Sequence, residues 1–270
     1  EMTSSLVGSE MCIRDSASLQ LIGDGRNTNT AAIALSYAQQ IASNFGAELL
    51  AKNAAAPPVE IESRAWFNPN LITRWFIVPG LIAVLALIGS VLSGALSIAR
   101  EREEGTFDQL LVAPYTPREI LLGKGISTVI TSIMQTFFIV LVAMFWFRIP
   151  FQGSIWLLSG AILLFIITGA AIGLCISSFS QSLQQAIVGT FLLVVPTVML
   201  SGFATPISSM PEFFQDLTLL NPMRYGLELI QRIFLEGAGF MDLWPLFGAI
   251  TLVTIGTAAA AIFSFHRKIS

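Results

Sequence analysis

From residue 75 onward the chain is written in long apolar runs separated by short polar breaks. Residues 75–99 and 125–147 carry no Asp, Glu, Lys or Arg. The uncharged stretch 149–211 is divided by Ser177-Ser178-Phe179-Ser180-Gln181-Ser182 into runs at about 155–176 and 184–203, and a further run covers 243–265. A hydrocarbon core about 30 Å thick is crossed by ~20 residues of helix. Lipid offers the backbone no hydrogen-bond partner, so runs this apolar must be helices. The pattern predicts five transmembrane spans within a domain covering residues 71–270, and an all-α polytopic membrane protein.

The pattern upstream is different. Thr28 to Thr30 offer N-cap candidates for a helix reaching about Phe45, with Gly46 as its stop, and Ile33, Tyr37 and Ile41 share one face at spacings of four. Residues 18–22 and 59–61 read as short strands, and Ala54-Ala55-Ala56-Pro57-Pro58 as a linker. Residues 17–70 are too few for an independent core and are expected to be part of a truncated extracytoplasmic α/β domain. Asp24-Gly25-Arg26-Asn27 reads as a turn, since the later acidic ligands of a calcium loop are missing. Residues 1–16 show no clear period. They resemble a translated sequencing adaptor and are expected to be non-native or disordered.

Composition agrees with the membrane reading. Hydrophobic residues make up 54% of the chain and charged ones 11%, where a soluble domain carries roughly 25% charged. A net charge of −3 provides no basic field for nucleic acid. His266 is the one histidine, and Cys12 and Cys175 lie far apart in unlike surroundings. No catalytic, metal or cofactor site is therefore expected.

Lys and Arg in the short loops set orientation. Arg100, Arg102, Arg118 and Lys124 lie between the first two spans, and Arg267 and Lys268 follow the fifth. Both ends are read as cytoplasmic, which places the C-terminus inside the cell and the N-terminal segment outside. Five spans then leave that segment with no helix to export it. The simplest account is an additional N-terminal helix, six in the complete protein.

Two polar stretches carry the chemistry. In the first, the cluster Arg100-Glu101-Arg102-Glu103-Glu104 follows the first span, and Phe107, Leu110 and Leu111 share a face at i, i+3 and i+4. Pro114 and Pro117 end that short helix, and Thr116-Pro117-Arg118-Glu119 is a capping box restarting helix into the second span. The loop 100–118 reads either as a docking helix for a cytoplasmic partner or as a solvated loop that sets topology. In the second, residues 204–236, Ser209-Met210-Pro211-Glu212 is another capping-box pattern and Asn221-Pro222 caps again. Arg224, Glu228 and Arg232 follow at i, i+4 and i+8, and Gly237 ends the helix. This stretch reads as a hairpin dipping into the outer leaflet or as a cap packed on the bundle.

The spans lack any Asp, Glu, Lys, Arg or His, which argues against an ion-coupled carrier. Gly123-Lys124-Gly125 fails the phosphate-loop pattern, so no nucleotide is bound by that route. Pro79 and Pro196 fall within the first and fourth spans as candidate kinks.

Taken together, Arg100-Glu101-Arg102-Glu103-Glu104-Gly105-Thr106, Leu110-Leu111-Val112-Ala113-Pro114 and Gly123-Lys124 resemble the signature of type-2 ABC exporter permeases. So do Leu200-Ser201-Gly202, Pro206, Met210-Pro211 and Leu220-Asn221-Pro222. Asp24 to Ala31 and Arg64 to Asn70 resemble the bacterial multidrug-efflux branch of that family. The resemblance covers about residues 17–270. It implies an inner-membrane permease that dimerises with a second copy or paralogue and pairs with cytoplasmic ABC ATPase subunits. It implies export of a hydrophobic or amphiphilic, drug-like or lipid-like substrate out across the membrane, contact with membrane lipid, and ATP hydrolysis kept in the separate subunit. It makes Arg100, Glu101, Arg102, Glu103, Glu104, Gly105, Thr106, Phe107, Leu110, Leu111 and Pro114 the ATPase-coupling element. It makes Gly202, Pro206, Met210, Pro211, Asn221 and Pro222 an outer gate, with spans one and four lining the path. The rival expectation is a non-transporting membrane scaffold or assembly factor, which needs no ATPase.

Overall fold

The computed structural model describes residues 28–52, 73–107, 114 and 116–269. The chain divides into two compact units, Glu1–Ala65 and Trp66–Ser270. The first contains helix α1, Thr28–Lys52. It starts where the threonines suggested but runs straight through Gly46, which is buried inside it. One glycine costs a helix only ~1 kcal/mol. The strong helix formers Ala47, Glu48, Leu49, Leu50 and Ala51 offset that, so Gly46 is not the stop. The segments read as strands and as a linker, and residues 1–16, lie outside the described residues, among which there is no strand.

The second unit is a helix bundle. Its long members are α2 (Thr73–Glu103), α3 (Pro117–Phe145), α4 (Ile155–Phe179), α5 (Leu183–Met199) and α8 (Phe240–Ile269). Short helices α6 (Glu212–Leu217) and α7 (Pro222–Gln231) lie between α5 and α8. Among the described residues, four helices are long and apolar enough to cross a membrane: α2, α3, α4 and α8. The run read as span 184–203 forms a shorter apolar helix of 17 residues, ending at Met199. Pro196 lies in its last turn, and the chain then turns through Gly202, whose φ of 91° suits only glycine comfortably.

α2 is the hub, packed against α3, α4, α5 and α7. Ile82, Ala83, Ala86, Leu87, Val91, Ala95, Ile98 and Ala99 are fully buried, a stripe advancing by threes and fours. Its contact with α4 is backbone to backbone. A Cβ on Gly173 would lie 2.3 Å from the Val91 carbonyl oxygen, and one on Gly169 would lie 2.0 Å from Ser90 Oγ. Gly169 and Gly173 thus meet Ser90 and Gly94 as two small-x-x-x-small pairs, the device by which membrane helices approach closely. On α3 the buried face is Thr128, Ser132, Thr136, Val140 and Ala143, and the opposite side exposes Leu122, Ile126, Ile130, Met134 and Phe138. Pro245 sits inside α8, a helix proline that joins Pro79 in α2 and Pro196 in α5.

The stretch 204–236 has two unlike limbs. α7 buries Met223, Leu227, Leu229 and Ile230, and Ile233 and Phe234 beyond it are also buried, all in the main core beside Phe165 and Val91. α6 instead leaves Phe213, Phe214 and Leu217 exposed, followed by Leu219 and Leu220. The capping box expected at Ser209 does not form. Pro211 is the N-cap of α6 without a side-chain bond, and Ser209 Oγ donates to the Pro206 carbonyl, 2.7 Å away, closing a short 3-10 turn at Ile207–Ser209.

Candidate functional site

The charged end of α2 is bonded to three other helices. α2 stops in a Schellman arrangement. The Thr106 N–H donates to the Glu101 carbonyl at 3.0 Å and the Gly105 N–H to the Arg102 carbonyl at 3.3 Å, with Gly105 at φ 72°. Nothing lies within 4 Å of a Cβ built on Gly105, so the demand there is conformational and not steric. Gly105→Ala is therefore expected to cost about 1–2 kcal/mol through the left-handed backbone alone. Gly105→Asn should cost less, a difference that thermal unfolding of the purified variants would measure.

Three successive side chains leave this last turn toward three other helices. Glu101 pairs with Lys124 on α3. Arg102 Nη1 donates to the carbonyls of Ser178 and Ser180, both at 2.9 Å, at the C-terminal end of α4. Glu103 Oε2 accepts from the Leu183 N–H at 2.6 Å, the first residue of α5. A cation thus meets a helix C-terminus and an anion a helix N-terminus, the pairing that each helix dipole favours. One turn deeper, Ser177 Oγ accepts from the Ile98 and Ala99 N–H groups at 3.1 and 3.0 Å. Where α3 begins, Thr116 and Glu119 close the predicted capping box. The Thr116 N–H donates to Glu119 Oε2 at 2.7 Å, and the Glu119 N–H donates to Thr116 Oγ1 at 3.4 Å.

Phe107 is turned toward its own bundle. It packs on the buried cluster Ile98, Leu121, Leu174 and Phe265, and its ring lies 4.8 Å from the Arg102 guanidinium carbon. Arg100, Glu104, Gly105, Thr106 and Pro114 are exposed. Leu110 and Leu111 lie outside the described residues. The sequence singled out Arg102 and Glu103 but not their partners. Ser178 and Ser180 contribute main-chain carbonyls, which leave no signature in sequence. Ser177 was visible only as part of a polar break.

At the other end, Asn221 joins two elements. Its Oδ1 accepts from the Met223 N–H at 2.9 Å, capping α7, and its Nδ2 donates to the Thr197 carbonyl of α5 at 2.7 Å. Pro222 occupies the first helical position of α7. Met210 accepts from Gln215 Nε2 at 2.8 Å through its carbonyl, so Pro206, Met210 and Pro211 shape the entry to α6. Just beyond α7, Arg232 pairs with Glu228 at 3.5 Å and with Glu236 at 3.2 Å. Arg224 turns away to donate to Thr218 Oγ1 at 2.6 Å. Gly237, at φ 62°, ends the helical stretch as expected.

Comparison with known proteins places this geometry in context. A family model described as "ABC-2 family transporter protein" matches residues 13–263. The chain is 39% identical over 253 residues to the Escherichia coli (strain K12) protein named "Probable multidrug ABC transporter permease YbhR", covering 94% of this chain and 69% of that protein. It is 36% identical over 217 residues to the same organism's "Inner membrane transport permease YhhJ", covering 79% of this chain and 57% of that one. A more distant relative, "ABC transporter G family member 20" of Dictyostelium discoideum, is 24% identical over 242 residues, 87% of this chain and 33% of that protein.

Proposed function

This chain belongs to the ABC-2 family of transporter proteins, and we propose on that footing that its bundle forms the export path for a hydrophobic or amphiphilic compound, drug-like or lipid-like. It is the transmembrane permease subunit of an ATP-binding cassette exporter and a multi-pass inner-membrane protein, and ATP hydrolysis resides in separate ATPase subunits. The observation that carries the reading is the confinement of charge to the ends of the spans. Arg100, Glu101, Arg102, Glu103, Glu104, Arg118 and Lys124 gather where α2 ends and α3 begins. The spans beyond are apolar, so an amphiphile meets a wall with no ionised group to desolvate.

In this reading α5 acts as a fifth span despite its length, and a further helix upstream makes six. The exposed residues Arg100, Glu104 and Pro114, with Leu110 and Leu111, meet the ATPase in the cytoplasm, where the C-terminus also lies. A second permease copy or a paralogue completes the path, with Gly202, Pro206, Met210, Pro211, Asn221 and Pro222 around its outer mouth. The exposed apolar limb α6 lies in the outer leaflet, where Phe213 and Phe214 meet lipid.

The test combines topology with activity. Gln109→Cys and Ser208→Cys in a cysteine-free permease are expected to react with a membrane-impermeant thiol reagent from opposite faces of the membrane. The permease co-reconstituted with its ATPase should export a fluorescent amphiphile only with ATP. Labelling of both sites from one side would overturn the orientation, and ATP-independent movement would overturn the exporter reading.

A further inference from the structure

Consecutive residues of an α-helix point ~100° apart around its axis, so three in a row sweep more than half the circumference. Glu101, Arg102 and Glu103 use that sweep. The first reaches Lys124 near the start of α3, the second the two carbonyls closing α4, and the third the first N–H of α5. Two further contacts hold this junction. Phe107 lies against the Arg102 guanidinium, and Ser177 ties the same turn of α4 to the α2 backbone at Ile98 and Ala99. Glu103 supplies the N–H of Leu183 with the only kind of partner a first-turn amide can have, one from outside the helix.

We infer that Glu101, Arg102 and Glu103 form a clamp that makes the ends of α3, α4 and α5 travel with the end of α2, so that they act as positioning residues in energy coupling and are not contacts to the ATPase. The inference rests on the permease reading above. α5 is the helix with most to gain. It is the shortest of the long helices, and the Ser180–Ser182 turn that joins it to α4 is bridged by Arg102 on one side and Glu103 on the other. A displacement delivered through the α2–α3 loop then reaches four helix ends together. Without the clamp it reaches α2 and α3 and is lost in the α4–α5 turn.

The experiment uses the permease co-expressed with its ATPase. Arg102→Ala and Glu103→Ala are expected to keep the ATPase bound through purification, yet to lower ATP-driven export about tenfold, the scale of a lost charge-assisted hydrogen bond. Glu103→Gln keeps an acceptor for the Leu183 N–H and should export within about twofold of the unmodified protein. A second arm does not depend on how well the alanine variants fold. Glu103→Cys with Leu183→Cys should export poorly when reduced, and should recover when a short bifunctional thiol reagent joins the two positions. Loss of the ATPase from the alanine variants would make these residues docking contacts and overturn the clamp. So would export unchanged by alanine, or a cross-link that stops export. An unmodified permease that brings down no ATPase would instead sink the permease reading itself, and the clamp with it.

Discussion

Gly173→Leu is expected to prevent the bundle from forming a single stable species. A Cβ there would lie 2.3 Å from the Val91 carbonyl oxygen and 2.9 Å from both the Ala95 nitrogen and the Gly94 Cα. All three are main-chain atoms of a helix whose own hydrogen bonds fix them, so neither side can yield by rotating a side chain. Overpacking a flexible core costs about 1–3 kcal/mol, and a rigid backbone contact belongs at or above the top of that range. In a membrane this contact cannot be replaced by a hydrophobic driving force between helices, because lipid is as apolar as the core. Size-exclusion profiles and melting curves of the detergent-purified permease should show a broadened or aggregated species, or a midpoint lowered by roughly 10 °C. Gly160→Leu on the same helix is the control, since a Cβ at Gly160 meets nothing within 4 Å. Equal damage from both would locate the fault in glycine's removal from α4 in general and not in the α2 contact.

The next largest effect is expected at Asn221. It is 8% exposed and holds two main-chain groups that no other described side chain serves: the N-terminal amide of Met223, and the Thr197 carbonyl in the last turn of α5. Alanine removes an N-cap, worth about 0.5–2 kcal/mol, and strands a carbonyl at about 1–3 kcal/mol. A total loss of about 1.5–5 kcal/mol follows. Asn221→Asp separates the two parts. Aspartate still caps α7, but it cannot donate to Thr197 and sets a negative charge against that carbonyl, so its stability should fall between asparagine and alanine. If the aspartate variant melts like the unmodified protein, the bond to Thr197 contributes nothing and α7 is held to α5 by packing alone.

The two capping-box patterns show what sequence could and could not reveal. Thr116-Pro117-Arg118-Glu119 and Ser209-Met210-Pro211-Glu212 both place a hydroxyl three residues before a glutamate, yet only the first forms. In the first, the residue preceding proline is the N-cap itself, which is extended in any case. In the second, Met210 would have to be helical directly before Pro211, which the proline ring disfavours. Met210 is accordingly extended at φ −85° and ψ 151°. Proline's position decided the outcome and was legible. The apolar runs were legible too, because a helix in lipid leaves no other use for twenty uncharged residues. What was not legible was direction. The spacing of Phe107 with Leu110 and Leu111 defined a face, but only the structure turns Phe107 onto Leu121 and Phe265. The glycine pair 169 and 173 stood in the sequence as G-x-x-x-G opposite Ser90-x-x-x-Gly94, but nothing local says which two helices such patterns join. The bonds from Arg102 and Glu103 go to main-chain groups some eighty residues away, and every residue type owns those groups.

One consequence follows from the brevity of α5. Its 17 residues reach about 25 Å, against a hydrocarbon thickness of about 30 Å. Where such a helix crosses, the bilayer must thin toward it or polar residues must stretch to cover the gap, at a fraction of a kcal/mol per ångström. The side chains Ser180, Gln181, Gln184 and Gln185 at one end and Ser201 and Thr205 at the other lie where that gap opens. Taking α5 as the proposed fifth span, the membrane beside it is expected to thin toward it. Lipid chain length then becomes a mechanical load on the one helix whose lower end is gripped by α2 and whose upper end is held by Asn221, so the host membrane itself helps set how readily this transporter moves.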